Sequence, residues 1–225
     1  MNQHPGFNPR AQQNSNALSG FVVADLCAAS PLIQAALASG LLHEKKNAEV
    51  STKVASRNVD LVLHTGEGPT ISVLTSVENK TVMAAHGKAR KNRFGDLIAY
   101  SNHMHNHHRD CIATGIVVVN TSSIYENPDP FAKGLKRARF DMQKVVPDTI
   151  RLFGNLPLRD NPDEPSDQPE ALAVIVVDYD GRHLSKLVTD PPAPQPGEAI
   201  HYQSFLTRIA MLYEKRFSQL KQPIG

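Results

Sequence analysis

Residues 58–100 read NVDLVLHTGEGPTISVLTSVENKTVMAAHGKARKNRFGDLIAY, and their reading decides the fold. Two apolar runs, Val59 to His64 and Thr70 to Lys80, flank a turn at 65–69 that carries Gly66, Gly68 and Pro69. Ile71, Val73, Thr75 and Val77 are β-branched and suit a pleated surface, while glycine and proline supply the turn. The pattern predicts two adjacent antiparallel strands. Val59, Leu61 and Leu63 fall on one face of the first, and Asp60 and Val62 on the other. A helix is expected next, over about 82–107, with Phe94, Leu97, Ile98, Ser101 and Met104 as its buried stripe.

Working outward, Ser30 and Pro31 are a helix cap and a first helical residue, and Leu32, Ala35, Ala36 and Leu41 give that helix a packing face. Residues 1–16 are polar and Asn/Gln-rich and are expected to be a loose arm. His43 to Glu49 reads as a charged connection, and Val50 to Ser56 as a weak first strand. Downstream, Ile112 to Val119 is almost wholly apolar, the pattern of a strand covered on both faces. A helix over about 131–146, a short helix after Pro147 and an exposed loop at 155–170 follow. Ala171 to Val177 is a second buried strand, and 190–198 a proline-stiffened loop. A closing helix at 200–220 turns Phe205, Ile209, Leu212 and Phe217 inward. This order predicts an α/β fold, a central mixed sheet between helices, in one domain spanning 17–225.

Composition narrows the function classes. The 225 residues are 40% hydrophobic and 20% charged, an ordinary globular balance, and the formal net charge is only +2. A nucleic-acid partner therefore has to be held by a local patch and not by the overall field. No apolar run approaches the roughly 20 residues of a membrane span. Cys27 and Cys111 lie in apolar stretches without metal-type spacing, which indicates buried thiols in a reducing compartment. The expectation is a soluble, cytoplasmic protein that does not engage a membrane.

The chemistry sits where the second strand of the quoted stretch ends in three polar residues, Glu78-Asn79-Lys80. Glu78 and Lys80 are two apart and project to one face; Asp60 is on the neighbouring strand. Mg²⁺ takes oxygen ligands and commonly only one or two protein carboxylates, which Asp60 and Glu78 supply, with the Asn79 carbonyl as a third ligand. Lys80 is then placed to orient a water and to offset charge on a phosphate. The set points to hydrolysis of a phosphodiester, with Mg²⁺ as cofactor and Mn²⁺ as a substitute.

Asp60 followed by Glu78-Asn79-Lys80 resembles the PD-(D/E)xK nuclease superfamily, and the order helix, three strands, helix, strand over about 30–120 resembles its αβββαβ core. The closest group is that of type II restriction endonucleases. The resemblance implies that Asp60 and Glu78 bind metal and that Lys80 is the catalytic lysine. Val59 stands where the family pattern has proline, a position at which that proline is often missing.

Lys88, Arg90, Lys91 and Arg93 follow on the first turns of the long helix, away from its apolar stripe. With Asn92 they are the candidate DNA contacts, since a basic helix start holds phosphates. His103, His105, His107 and His108 form the densest histidine cluster. His103 and His107 are spaced i, i+4, as a transition-metal pair would be, but no further ligand is evident. The cluster reads as a polar helix end whose imidazoles suit the dipole. The string superficially suggests an HNH-type nuclease, but that fold needs a ββ-metal hairpin before its helix, which the sequence does not offer.

The leading expectation is a Mg²⁺-dependent endodeoxyribonuclease of the restriction type. It would cut duplex DNA as a homodimer, since two-fold symmetry gives a small chain two active sites. A structure-specific repair or junction-resolving nuclease is the second expectation, and a non-catalytic nucleic-acid-binding protein of the same fold the third.

Overall fold

The run at 112–119 forms the middle of a sheet, as its composition requires. A computed structural model describes residues 12–51, 56–67, 71–126 and 141–220, and in it β4 (Ile112–Asn120) is buried at every position. On one side β4 pairs in parallel with β3 (Ser72–Val82), and on the other with β5 (Ala171–Asp178). β2 (Ser56–Thr65) and β1 (His43–Ser51) extend the β3 side as antiparallel strands, and the short β6 (Lys186–Val188) closes the β5 side. The chain is thus an α/β protein on a six-stranded mixed sheet in the order β1-β2-β3-β4-β5-β6.

Helices cover both faces. α1 (Gln12–Ala29), α2 (Pro31–Ala38) and α5 (Tyr202–Phe217) place Val22, Leu26, Ile33, Phe205 and Ile209 against Leu61, Leu63, Val77 and Ile116. On the other face α3 (His86–His107) and α4 (Met142–Gly154) place Leu97, Ile150 and Phe153 against Val117, Val119 and Val174. Gly115 lets α3 come close: a Cβ there would meet Leu97 Cδ2 at 2.8 Å. In the helix start at 30–31, Ser30 Oγ accepts the Ile33 amide and Pro31 is the first helical residue.

Several expectations need correction. α1 starts at Gln12, so residues 12–16 of the expected arm are helical; residues 1–11 lie outside the described residues. His43 to Glu49 is not a connection but most of β1. Its charges are tolerated because an edge strand has one neighbour and exposes most of its side chains. Pro147 does not separate two helices but lies inside α4, and most of the helix expected over 131–146 falls outside the described residues. β6 was not expected. Val59 and Leu61 do not share a face: Val59 packs with Tyr100 and Met104 under α3, and Leu61 packs with α1 and α5. The stripe of α3 is Leu97, Tyr100, Ser101, Met104 and His105, with Phe94 and Ile98 only partly covered.

One buried carboxylate ties the loop 155–170 to the sheet. Glu170, at 0% exposure, lies 2.8 Å from Arg216 and 3.2 Å from Arg159, and it accepts the Ala113 amide. His105 Nε2 is 2.8 Å from Oε2, the oxygen that accepts the Ala113 amide, and His105 Nδ1 donates to the Ser166 carbonyl. Glu170→Ala leaves two buried guanidinium groups without their counter-charge. It is expected to cost about 3–5 kcal/mol in urea denaturation, whereas Asp163→Ala, at the exposed Arg109–Asp163 pair, should stay within about 1 kcal/mol.

At the far end of β4, His86 Nε2 lies 2.8 Å from the Asn120 carbonyl. Burial holds this imidazole below the ordinary histidine range, against the opposing effect of that bond. The unfolded chain therefore takes up a proton below about pH 6.5 that the folded chain resists. Stability present above that pH is expected to fall as pH drops toward the depressed folded value. His86→Gln should flatten the change in urea midpoint over that window.

Candidate functional site

The site lies where β2 and β3 part. Their pairing runs from Leu61 with Val77 to Thr65 with Ser72; before Leu61, β2 keeps only β1 as neighbour, and after Val77, β3 keeps only β4. Asp60 stands at the fork. It is also missing from the β1 register, where Asn47 opposite it adopts φ 48°, and the strand changes face there. This local break is why Val59 and Leu61 point apart.

Freed from the ladder, the Asp60 carboxylate turns to β3 and α1. Its Oδ2 accepts the Asn79 amide at 2.8 Å, and its Oδ1 accepts the Ser15 hydroxyl at 2.5 Å. Asn79 Nδ2 donates to the same Ser15 oxygen at 3.0 Å, and Ser19 Oγ donates to the Asp60 carbonyl. A strand residue directs its N–H and C=O to the same side. The Asn79 amide faces Asp60, so its carbonyl also looks into the fork.

Glu78 and Lys80 share the α3 side of β3, as their spacing required. Lys80 Nζ is 2.5 Å from Glu78 Oε1, and Arg57 donates to that same oxygen at 3.2 Å. Arg57, three residues before Asp60 on β2, also lies over the Tyr100 ring, 5.4 Å from its centre. Burial keeps the Tyr100 hydroxyl protonated far beyond the usual phenol range, and it donates to Ser76. Glu78 is only 4% exposed, and its Oε2 has no hydrogen-bond partner among the described residues.

The structure thus joins Glu78 with Lys80 directly and sets Asp60 against the peptide that follows Glu78. No direct contact joins the two carboxylates. Asp60 is engaged from the α1 side and Glu78 from the α3 side. The donor set suits a hard divalent cation: two carboxylates, one with an unpartnered buried oxygen, and a peptide carbonyl. Among the described residues no group of three or more His, Cys, Asp and Glu forms a metal cluster.

On α3, Lys88, Lys91 and Asn92 are exposed, and Arg90 and Arg93 are half-buried. Arg93 is paired with Asp96 at 2.7 Å. The helix begins after Ala85 with no side-chain cap on its first amides. Of the histidines, His105 belongs to the Glu170 network, while His103 and His107 face each other with ring centres 5.7 Å apart. Burial lowers the His103 pKa, and the nearby Arg57 guanidinium lowers it further.

Sequence reasoning missed Arg57 and Ser15. Arg57 carried a weak signal, a cation near the first acid. Ser15 carried none, because its contact with Asp60 spans 45 positions of the chain. Compared with protein-family models, with curated proteins and with solved structures, the chain matches none.

Because Arg57 and Lys80 share one oxygen of a buried acid, their removal should not be additive. Arg57→Ala or Lys80→Ala alone leaves Glu78 one counter-charge; the double change leaves none. A double-mutant cycle in urea is expected to show the double variant about 1–2 kcal/mol less stable than the sum of the single effects.

Proposed function

We propose that this chain is a Mg²⁺-dependent endodeoxyribonuclease that hydrolyses phosphodiester bonds of duplex DNA, of the restriction type. The observation that carries this reading is the fork itself: Asp60 stands there against the Asn79 peptide, and Glu78, the residue before that peptide, holds Lys80 on one oxygen and has no partner for the other among the described residues. Asp60, Glu78 and the Asn79 carbonyl would hold Mg²⁺, or Mn²⁺ in its place. When bound, that cation supplies Lewis-acid charge and a more acidic water.

The chain's own residues do the rest. Lys80, held on Glu78, orients the attacking water and offsets charge on the phosphate. Arg57 brings a second cation to the same acid, with guanidinium hydrogens left over for a phosphate oxygen. Lys88, Lys91 and Asn92 offer exposed donors for neighbouring phosphates, and Arg90 and Arg93 add positive charge behind them. Cleavage of both strands calls for a homodimer, which presents two such sites by two-fold symmetry. Among the described residues no single helix is long and apolar enough to cross a membrane. Two free cysteines, one of them buried, suit a reducing, cytoplasmic setting.

Purified protein with supercoiled plasmid and Mg²⁺ tests the reading, with a branched DNA substrate in parallel. The wild type is expected to cut the plasmid, chelation to stop it, and Asp60→Ala or Lys80→Ala to slow it by at least about 100-fold. Activity that survives both substitutions overturns the site. Cutting of the branched substrate alone selects the junction-type nuclease, and no bound divalent cation together with no cleavage leaves the non-catalytic nucleic-acid-binding protein.

A further inference from the structure

We infer that Ser15 of α1 is a positioning residue of this site, fixing the Asp60 carboxylate as a metal ligand together with Asn79; the inference rests on the metal-site reading above. Asn79 reaches Asp60 twice. Its backbone amide donates to Oδ2 at 2.8 Å, and its side-chain amide donates to Ser15 Oγ at 3.0 Å. Because Ser15 accepts that bond, its own hydroxyl hydrogen is committed to Asp60 Oδ1, at 2.5 Å. The result is a closed ring of donors in which each Asp60 oxygen accepts one hydrogen bond.

A carboxylate oxygen has two lone pairs, so each Asp60 oxygen keeps one for a cation. Groups that hydrogen-bond a metal ligand from behind set its orientation, and their loss commonly weakens metal binding by 10–100-fold. Such a brace matters here because Asp60 has left the regular ladder, so pairing on β3 does not fix its backbone. Ser19, one turn further along α1 and fully covered, donates to the Asp60 carbonyl and holds the helix in place behind Ser15. The central residue of Glu78-Asn79-Lys80 thereby acquires a side-chain role: it sets the direction of the Ser15 hydroxyl.

Calorimetric titration with Mn²⁺ tests this on the full chain, using wild type, Ser15→Ala, Ser15→Thr and Asp60→Ala, with thermal melts of each. Wild type and Ser15→Thr are expected to bind alike. Ser15→Ala should bind about 10–100-fold more weakly while still melting cooperatively. Equal Mn²⁺ affinity in Ser15→Ala and wild type overturns the inference and leaves the nuclease reading standing. If Ser15→Ala does not fold, weakened binding in the folded Ser15→Cys variant supports the inference and unchanged binding overturns it. A wild type that binds no Mn²⁺, or an Asp60→Ala variant that binds as wild type does, overturns the metal-site reading itself and Ser15's role with it.

Discussion

The architecture depends on one buried charge. Glu170 sits at the entry to β5 with no exposure, and partners from four parts of the chain converge on it: the Arg159 and Arg216 guanidinium groups, His105 and the Ala113 amide. An isolated carboxylate in that position would cost far more than the fold's net stability. Its burial therefore requires compensating partners. That requirement registers α3, the loop 155–170 and α5 against the start of β4 and β5. A buried ion pair is weak evidence for stability, since an apolar replacement of the same shape can be as stable. Its effect here is to specify which ends meet.

With that end of the sheet clamped, irregularity concentrates on the β2 side. β3, β4 and β5 are parallel, buried on both faces and continuous in register. β2 pairs with β3 for only part of its length, shifts register between Leu63 and His64, and breaks at Asp60. A polar side chain in such a break is free to satisfy itself off the ladder, as Asp60 does with Ser15 and Asn79. The regular part of the sheet supplies rigidity, and the irregular part supplies the gap.

This division also explains what was legible in the sequence. The central strands were plain, because burial on both faces forces an apolar run such as Ile112 to Val119. The inward face of α5 was plain for the same reason, as were Ser30-Pro31 and the position of Glu78 relative to Lys80; the face of α2 was not, since it buries Ile33 and Ala36 and leaves Ala35 exposed. The charged stretch His43 to Glu49 was misread because an edge strand exposes most of its side chains. Strand period failed at Asp60 because Asn47 adopts a left-handed conformation opposite it, and periodicity assumes that no residue does so. Pro147 is tolerated inside α4, where local propensity argued for a boundary. Within the site, the acids and the lysine were visible as types and spacings. Ser15 and Arg57 reach it only through tertiary contacts.

The charges at the fork constrain any chemistry assigned to it. Asp60 and Glu78 bring two negative charges, and Lys80 and Arg57 bring two positive ones, so the cluster is formally balanced. On the nuclease reading, a divalent cation would raise it to an excess of two, which a phosphodiester and the charge developing on it would offset. The balance also bears on Glu78. Both side-chain cations crowd onto its Oε1 and leave Oε2 buried without a partner among the described residues, a costly state for a carboxylate oxygen unless a further positive partner completes it. Their arrangement on one oxygen keeps the other available, and this asymmetry, more than the motif, is the physical argument for a cation at Glu78.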